Sequence, residues 1–244
     1  MSEPETRDRQ INPFNAPEPY GQAAVRERAA SDGRPLSPRA YTLALTALVF
    51  AGFAVMGLCS SLFGNVGFLL AVVQHFGTIS ILSFVASIAG IVLMSVAKGS
   101  QRVGLSLAGY AVFTLSFGFT ASLAMLQFSL ATISNAFLAT AGITVVFGCL
   151  GIAFPRFFER IQGVLAAGLL GVILVQVVMM FMGVQTTAVD FVVIVLFCGF
   201  IGRDFYVAAM DAPTLSNAAY HASNLFLDIL NVFVRLLSIF GRDN

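Results

Sequence analysis

The sequence predicts an all-α protein, a polytopic membrane bundle of about seven transmembrane helices. Three observations carry this reading. The 244 residues are 58% hydrophobic and only 10% charged, against about a quarter charged in an ordinary soluble domain. The charges gather in residues 1–40, while Tyr41 to Ala97 contains no Lys, Arg, Asp or Glu. Apolar stretches then recur at the length that crosses a bilayer, about 20 residues each.

Residues 1–40 are rich in Pro, Arg, Glu and Asp and have no aliphatic periodicity. Such a composition cannot bury enough apolar surface to fold, so a disordered cytoplasmic tail is expected there. It has no apolar core of the kind a cleavable signal peptide needs. The membrane domain is expected over 41–244.

The uncharged run is too long for one span. It divides into a first helix over about Tyr41–Phe63 and a second over about Phe76–Ala97, with "GNVGFLLAVVQHFG" as an interfacial link. The third span is expected over Val103–Met125 and the fourth over Ser134–Phe154. The fifth covers Ile161–Gly183, the sixth Ala188–Val207, and the seventh Ala219–Phe240. Small residues in "AFLATAGI" and "GVLAAGLLG" are expected to let the fourth and fifth spans approach their neighbours closely.

Loop charges orient the bundle. Arg34 and Arg39 precede the first span, Lys98 and Arg102 follow the second, and Arg156 and Arg160 follow the fourth. The links "QFSLATIS" and "GVQTTAVD" have no Lys or Arg. This alternation places the N terminus in the cytoplasm of a multi-pass inner-membrane protein. Seven spans leave Arg242 outside, against that rule. A half-inserted last helix that returns the chain is the alternative.

Several chemistries lack their residues. A balance of 13 Lys+Arg against 12 Asp+Glu offers no basic face for nucleic acid. Cys59, Cys149 and Cys198 lie apart in apolar runs, with no CxxC, and are expected to be inert. His75 and His221 are isolated, so no zinc ligand set is expected. No Gly-rich loop follows a strand, which removes the nucleotide fingerprints and leaves no cofactor implied. The motifs of an intramembrane aspartyl protease are absent, and the chain is expected not to be an enzyme.

What stands out is a handful of ionisable groups at membrane depth: Arg203, Asp204, Asp228 and Arg235, with Lys98 and Arg102 at a helix end. A central Asp or Arg costs roughly 2.5–3.5 kcal/mol to insert, so each needs a partner, water or the interface. Asp228, Asn231 and Arg235 are spaced i, i+3, i+7 and share one helical stripe that is expected to face the bundle interior. The plainer account of that stripe is a structural polar network. The short link between the sixth and seventh spans makes them antiparallel neighbours, which lets Asp204 and Asp228 approach one another. Two carboxylates in a poorly hydrated site do not both ionise cheaply, so they titrate as a unit. Their oxygens also suit calcium.

These same residues carry a resemblance. "ASNLFLDILNVFVRLLSIFG" is similar to the last helix of the transmembrane Bax inhibitor motif family, and "LFCGFIGRDF" to its sixth-helix pattern FxGxxxYDT. "NAFLATAGI" resembles the run that opens its fourth helix, and "LSFGFTAS" the end of its third. The likeness covers about Tyr41 to Gly241. It implies seven helices with the last at the centre, and a pH-sensitive calcium leak gated by an aspartate pair, here Asp204 and Asp228. It also implies a basic residue at the end of the second span that engages the pair, a role for which Lys98 and Arg102 both qualify. Asn231 is expected to support the last helix. The alternative that the resemblance implies is a non-transporting regulator that binds a membrane-anchored ATP-dependent protease, with the charged tail as the end to grasp. A proton-coupled transporter would show an internal repeat, and none is evident.

Three positions depart from the family pattern. The Tyr before the sixth-helix Asp is Arg203 here, and Phe205 replaces the following Thr. Adjacent residues on a helix diverge by about 100°, so Arg203 is expected to point away and snorkel to the interface. Folded back instead, it would hold Asp204 ionised. Arg235 stands where many members have a neutral residue and adds a positive charge that opposes cation passage.

Overall fold

The computed structural model describes residues 35–184 and 186–242. The tail assigned to residues 1–40 therefore lies mostly outside the described residues. Among those described there are nine helices: α1 (Pro38–Leu62), α2 (Val66–Gln74), α3 (Phe76–Ser100), α4 (Val103–Met125) and α5 (Leu130–Ala153) open the chain. They are followed by α6 (Pro155–Arg160), α7 (Gln162–Met182), α8 (Thr187–Met210) and α9 (Leu215–Arg242). Seven of them, all but α2 and α6, are long and apolar enough to cross a membrane. The expected helical bundle is present, and "GNVGFLLAVVQHFG" contains the short helix α2.

The helix ends are set by capping chemistry. Ser37 caps α1 by accepting from Ala40 N–H at 3.2 Å, and Pro38 fits the first turn, where its missing N–H costs nothing. The span accordingly begins three residues before Tyr41. Ser129 caps α5 through Thr132 N–H at 3.2 Å, which starts that helix before the expected Ser134. Thr214 accepts from Asn217 N–H at 3.2 Å and opens α9 four residues before Ala219. Each cap removes an orphan donor and stabilises the end by about 1 kcal/mol. Gly183, at φ 65°, closes α7 in the left-handed conformation that suits glycine.

Helix α9 lies at the centre. It packs on α8, α1, α5, α4 and α3, whereas α7 leans on α8 at the periphery. The 28 residues of α9 form one continuous helix, about 42 Å long. Its far end therefore lies at the opposite side of the bundle from its start, and the half-inserted alternative is replaced by a full span. Phe226, fully buried, anchors the packing: its ring meets Phe53 at 5.0 Å and Phe113 at 6.1 Å between centroids. Tyr110 Oη donates to the Leu48 carbonyl and ties α4 to α1.

The close helix crossings fall elsewhere than expected. A Cβ on Gly90 would lie 2.7 Å from Gly109 O, so α3 and α4 touch backbone to backbone. Gly151 of α5 meets the Gly202 backbone of α8 in the same way. In "GVLAAGLLG", by contrast, Gly163 and Gly171 face open space, and only Gly168 meets a neighbour, Leu196. The small residues of the fifth span mostly line a lipid-facing surface, because α7 sits outside the bundle.

Candidate functional site

Helix α9 carries a polar seam. His221, Asp228, Arg235 and Arg242 recur every seven residues, a step that drifts only about 20° around a helix and climbs about 10.5 Å. The neighbouring helix supplies Asp190 and Asp204 on α8 and Asp211 at its C-cap, also separated by multiples of seven. Because α8 and α9 are antiparallel neighbours, Asp211 falls opposite His221, Asp204 opposite Asp228, and Asp190 opposite Arg242. Acid therefore meets base or acid at three levels through the membrane.

At the middle level Asp204 and Asp228 do come together. Both are buried, and each is the other's neighbouring ionisable group. Asp228 Oδ2 is buried with no hydrogen-bond partner among the described residues. Arg203 corrects an expectation: it turns back rather than away, and its Nη1 donates to Asp204 Oδ1 at 2.7 Å. Its long stem spans the 100° offset between adjacent side chains, and a buried carboxylate is a stronger attraction than a hydrated interface. The Arg203 Nε, in turn, is buried without a partner among the described residues.

At the level of the α8–α9 loop, Asp211 Oδ2 lies 2.6 Å from Lys98 Nζ and 2.8 Å from His221 Nε2. Burial works against the charge, but the hydrogen bonds from His221 and Lys98 outweigh it and hold the Asp211 carboxyl well below the usual carboxylate range. Lys98 also stands 4.5 Å from the Tyr220 ring centroid, within cation–π distance. The basic residue at the end of the second long span therefore engages Asp211, not the aspartate pair. Arg102 is exposed at the N-cap of α4 and forms no ion pair among the described residues. His221 is not isolated: only 1% exposed, it places Nε2 2.8 Å from Asp211 Oδ2. Close by, Asn217 donates to Ala212 O at 2.8 Å and accepts from Gln101 Nε2 at 3.3 Å.

At the other end, Arg235 Nη1 donates to Asp190 Oδ1 at 3.1 Å and Nη2 to Gln176 Oε1 at 2.7 Å. Arg242 reaches Asp190 Oδ2 at 3.0 Å. Arg235 therefore does not belong to one network with Asp228, as the shared stripe implied, but to a separate cluster one helical level away. Asn231 donates its Nδ2 to Leu227 O at 2.8 Å within its own helix, a structural contact.

Asp190, Asp211 and His221 escaped the sequence reading. Asp190 stood where the link "GVQTTAVD" runs into the sixth span, Asp211 fell in a link, and His221 stood alone in the chain. The seven-residue spacing on both helices is the signal that finds them.

A buried polar seam between two antiparallel helices at the heart of a seven-span bundle defines an integral membrane protein with intramembrane ionisable groups. The family described as inhibitor of apoptosis-promoting Bax1 matches residues 37–244, and the chain belongs to this Bax inhibitor-like family. Its relatives are bacterial membrane proteins. One from Streptococcus pyogenes serotype M6 is 26% identical over 169 residues, covering 65% of this chain and 74% of that protein. The inner membrane protein YbhL of Escherichia coli K12 is 24% identical over 169 residues, covering 65% and 72%.

Proposed function

We propose that the protein is a passive, pH-responsive cation leak, with calcium as the cation its carboxylates best suit and Asp204 and Asp228 as gate and proton sensor. The observation that carries this reading is the buried Asp228 beside Asp204 of the adjoining helix, with its Oδ2 unpartnered among the described residues. Two ionised carboxylates need two compensating positive charges in a medium of low polarity. Arg203 supplies one at 2.7 Å. The second is a proton or a passing cation, so the two compete for one place, and the competition makes passage depend on pH. The Lys98–Asp211–His221 cluster stands one helical level away, toward the Lys98 end of the bundle. That end is read as cytoplasmic, since Lys98, Arg102, Arg156 and Arg160 gather at it.

The test is calcium flux into liposomes containing the full chain, measured from pH 5 to 8. Flux should respond to pH, and Asp204→Asn or Asp228→Asn should abolish that response. Absence of flux at every pH, with correctly inserted protein, sinks the reading.

A further inference from the structure

The Asp190 end of the bundle holds a cavity of about 680 Å³ between α4, α7, α8 and α9. That is a ligand-sized volume, since small-molecule sites run to about 300–1,000 Å³. Its polar wall includes Asp190, Arg235, Arg242 and Gln176. Asp190 is the only acidic side chain lining it among the described residues. Both arginines converge on this one buried carboxylate, at 3.1 and 3.0 Å, so among the described residues the cluster keeps one positive charge in excess.

Donors are in excess too. A guanidinium presents five N–H groups. Arg235 spends donors on Asp190 and Gln176, and Arg242 on Asp190, Thr187 and Ser238. Their side chains are 26% and 34% exposed, and both line the cavity. The opposite wall is apolar, formed by Phe128 on the α4 side and by Met179, Met180 and Val184 near the end of α7. Met180 is 70% exposed on the outside of the bundle, where lipid chains run.

We propose that this cavity binds the phosphate of an acidic lipid, with the guanidinium forks on the phosphodiester and an acyl chain along the α4–α7 wall. A planar, permanently charged fork matches phosphate oxygens in pairs. The apolar wall and the place at the end of α7, where hydrocarbon meets headgroups, favour a lipid over a free ion. The site lies 14 residues along α8 from Asp204, about 21 Å, and does not depend on the leak.

The test uses the full chain in mild detergent, loaded with a mixture of phosphatidylglycerol and phosphatidylcholine, with retained lipid counted by native mass spectrometry. Phosphatidylglycerol should be retained over phosphatidylcholine. Arg242→Gln should lower that retention about fivefold, the weight of one basic residue near an anionic headgroup. This variant leaves the Arg235–Asp190 pair in place, so it keeps the fold where Arg235→Gln loosens it. Equal retention of the two lipids, or wild-type retention in Arg242→Gln, overturns the proposal. Stripping of phosphatidylglycerol by millimolar inorganic phosphate assigns the place to a free anion and overturns the lipid.

Discussion

Lys98 Nζ and Asp211 Oδ2 stand 2.6 Å apart and join the end of α3 to the loop between α8 and α9. His221 holds the same oxygen from inside the bundle at 2.8 Å, so the loop is clamped from two sides. The two variants should differ in cost. Lys98→Met leaves the His221 contact and should lose about 1 kcal/mol, as expected for a pair that is partly solvated. Asp211→Asn strips the carboxylate from a histidine that is almost wholly buried and should lose about 3 kcal/mol. Unfolding midpoints in mixed micelles give both values, and equal losses contradict the clamp.

Acid should spare this clamp until the pH is low. A carboxyl held below its ordinary value of 3.8 adds stability that is fully present above that value and is lost as pH falls through the folded one. The stability gap between wild type and Asp211→Asn should therefore stay constant from pH 7 to pH 5 and shrink only below about pH 4. A gap that closes already between pH 7 and pH 5 contradicts the assignment of the charge.

Arg203 is the family departure with the clearest consequence. Its guanidinium sits on Asp204, where a fixed cation repels a passing one. Arg203→Gln should raise calcium flux roughly tenfold, because a unit charge a few ångströms away contributes more than 1 kcal/mol at an effective dielectric near 20. Unchanged flux in that variant removes Arg203 from the pathway.

The backbone contact of α3 with α4 allows no methyl group. Gly90→Ala would push a Cβ to 2.7 Å from Gly109 O and should destabilise the protein by about 1–3 kcal/mol through overpacking. Gly163→Ala on α7 faces open space and should be neutral within about 0.5 kcal/mol. Paired unfolding midpoints decide the comparison.

The spans were legible because a bilayer imposes one length and one polarity on every crossing helix, a pattern that survives in a single sequence. Their ends were less so: Ser37, Ser129 and Thr214 extend α1, α5 and α9 beyond the apolar run, since a cap is read by geometry and not by hydropathy. Asp204 and Asp228 were recognisable as costly, and their meeting followed from a short link between antiparallel helices. Arg203 was misplaced because helical periodicity predicts the direction of Cβ, and a long side chain is free to turn back.

Composition and periodicity alone determined that this chain spans a membrane seven times and keeps charges where hydrocarbon penalises them. Membership of the Bax inhibitor-like family agrees with the motifs those charges occupy. The partners of the charges were decided only in three dimensions. Lys98 went to Asp211, Arg235 and Arg242 went to Asp190, and Asp228 kept an oxygen unpaired, because pairing depends on the register of α8 against α9. Each of these two helices is seated by contacts with other helices, Phe226 of α9 against Phe53 and Phe113 and Gly202 of α8 against Gly151, between residues far apart in the chain.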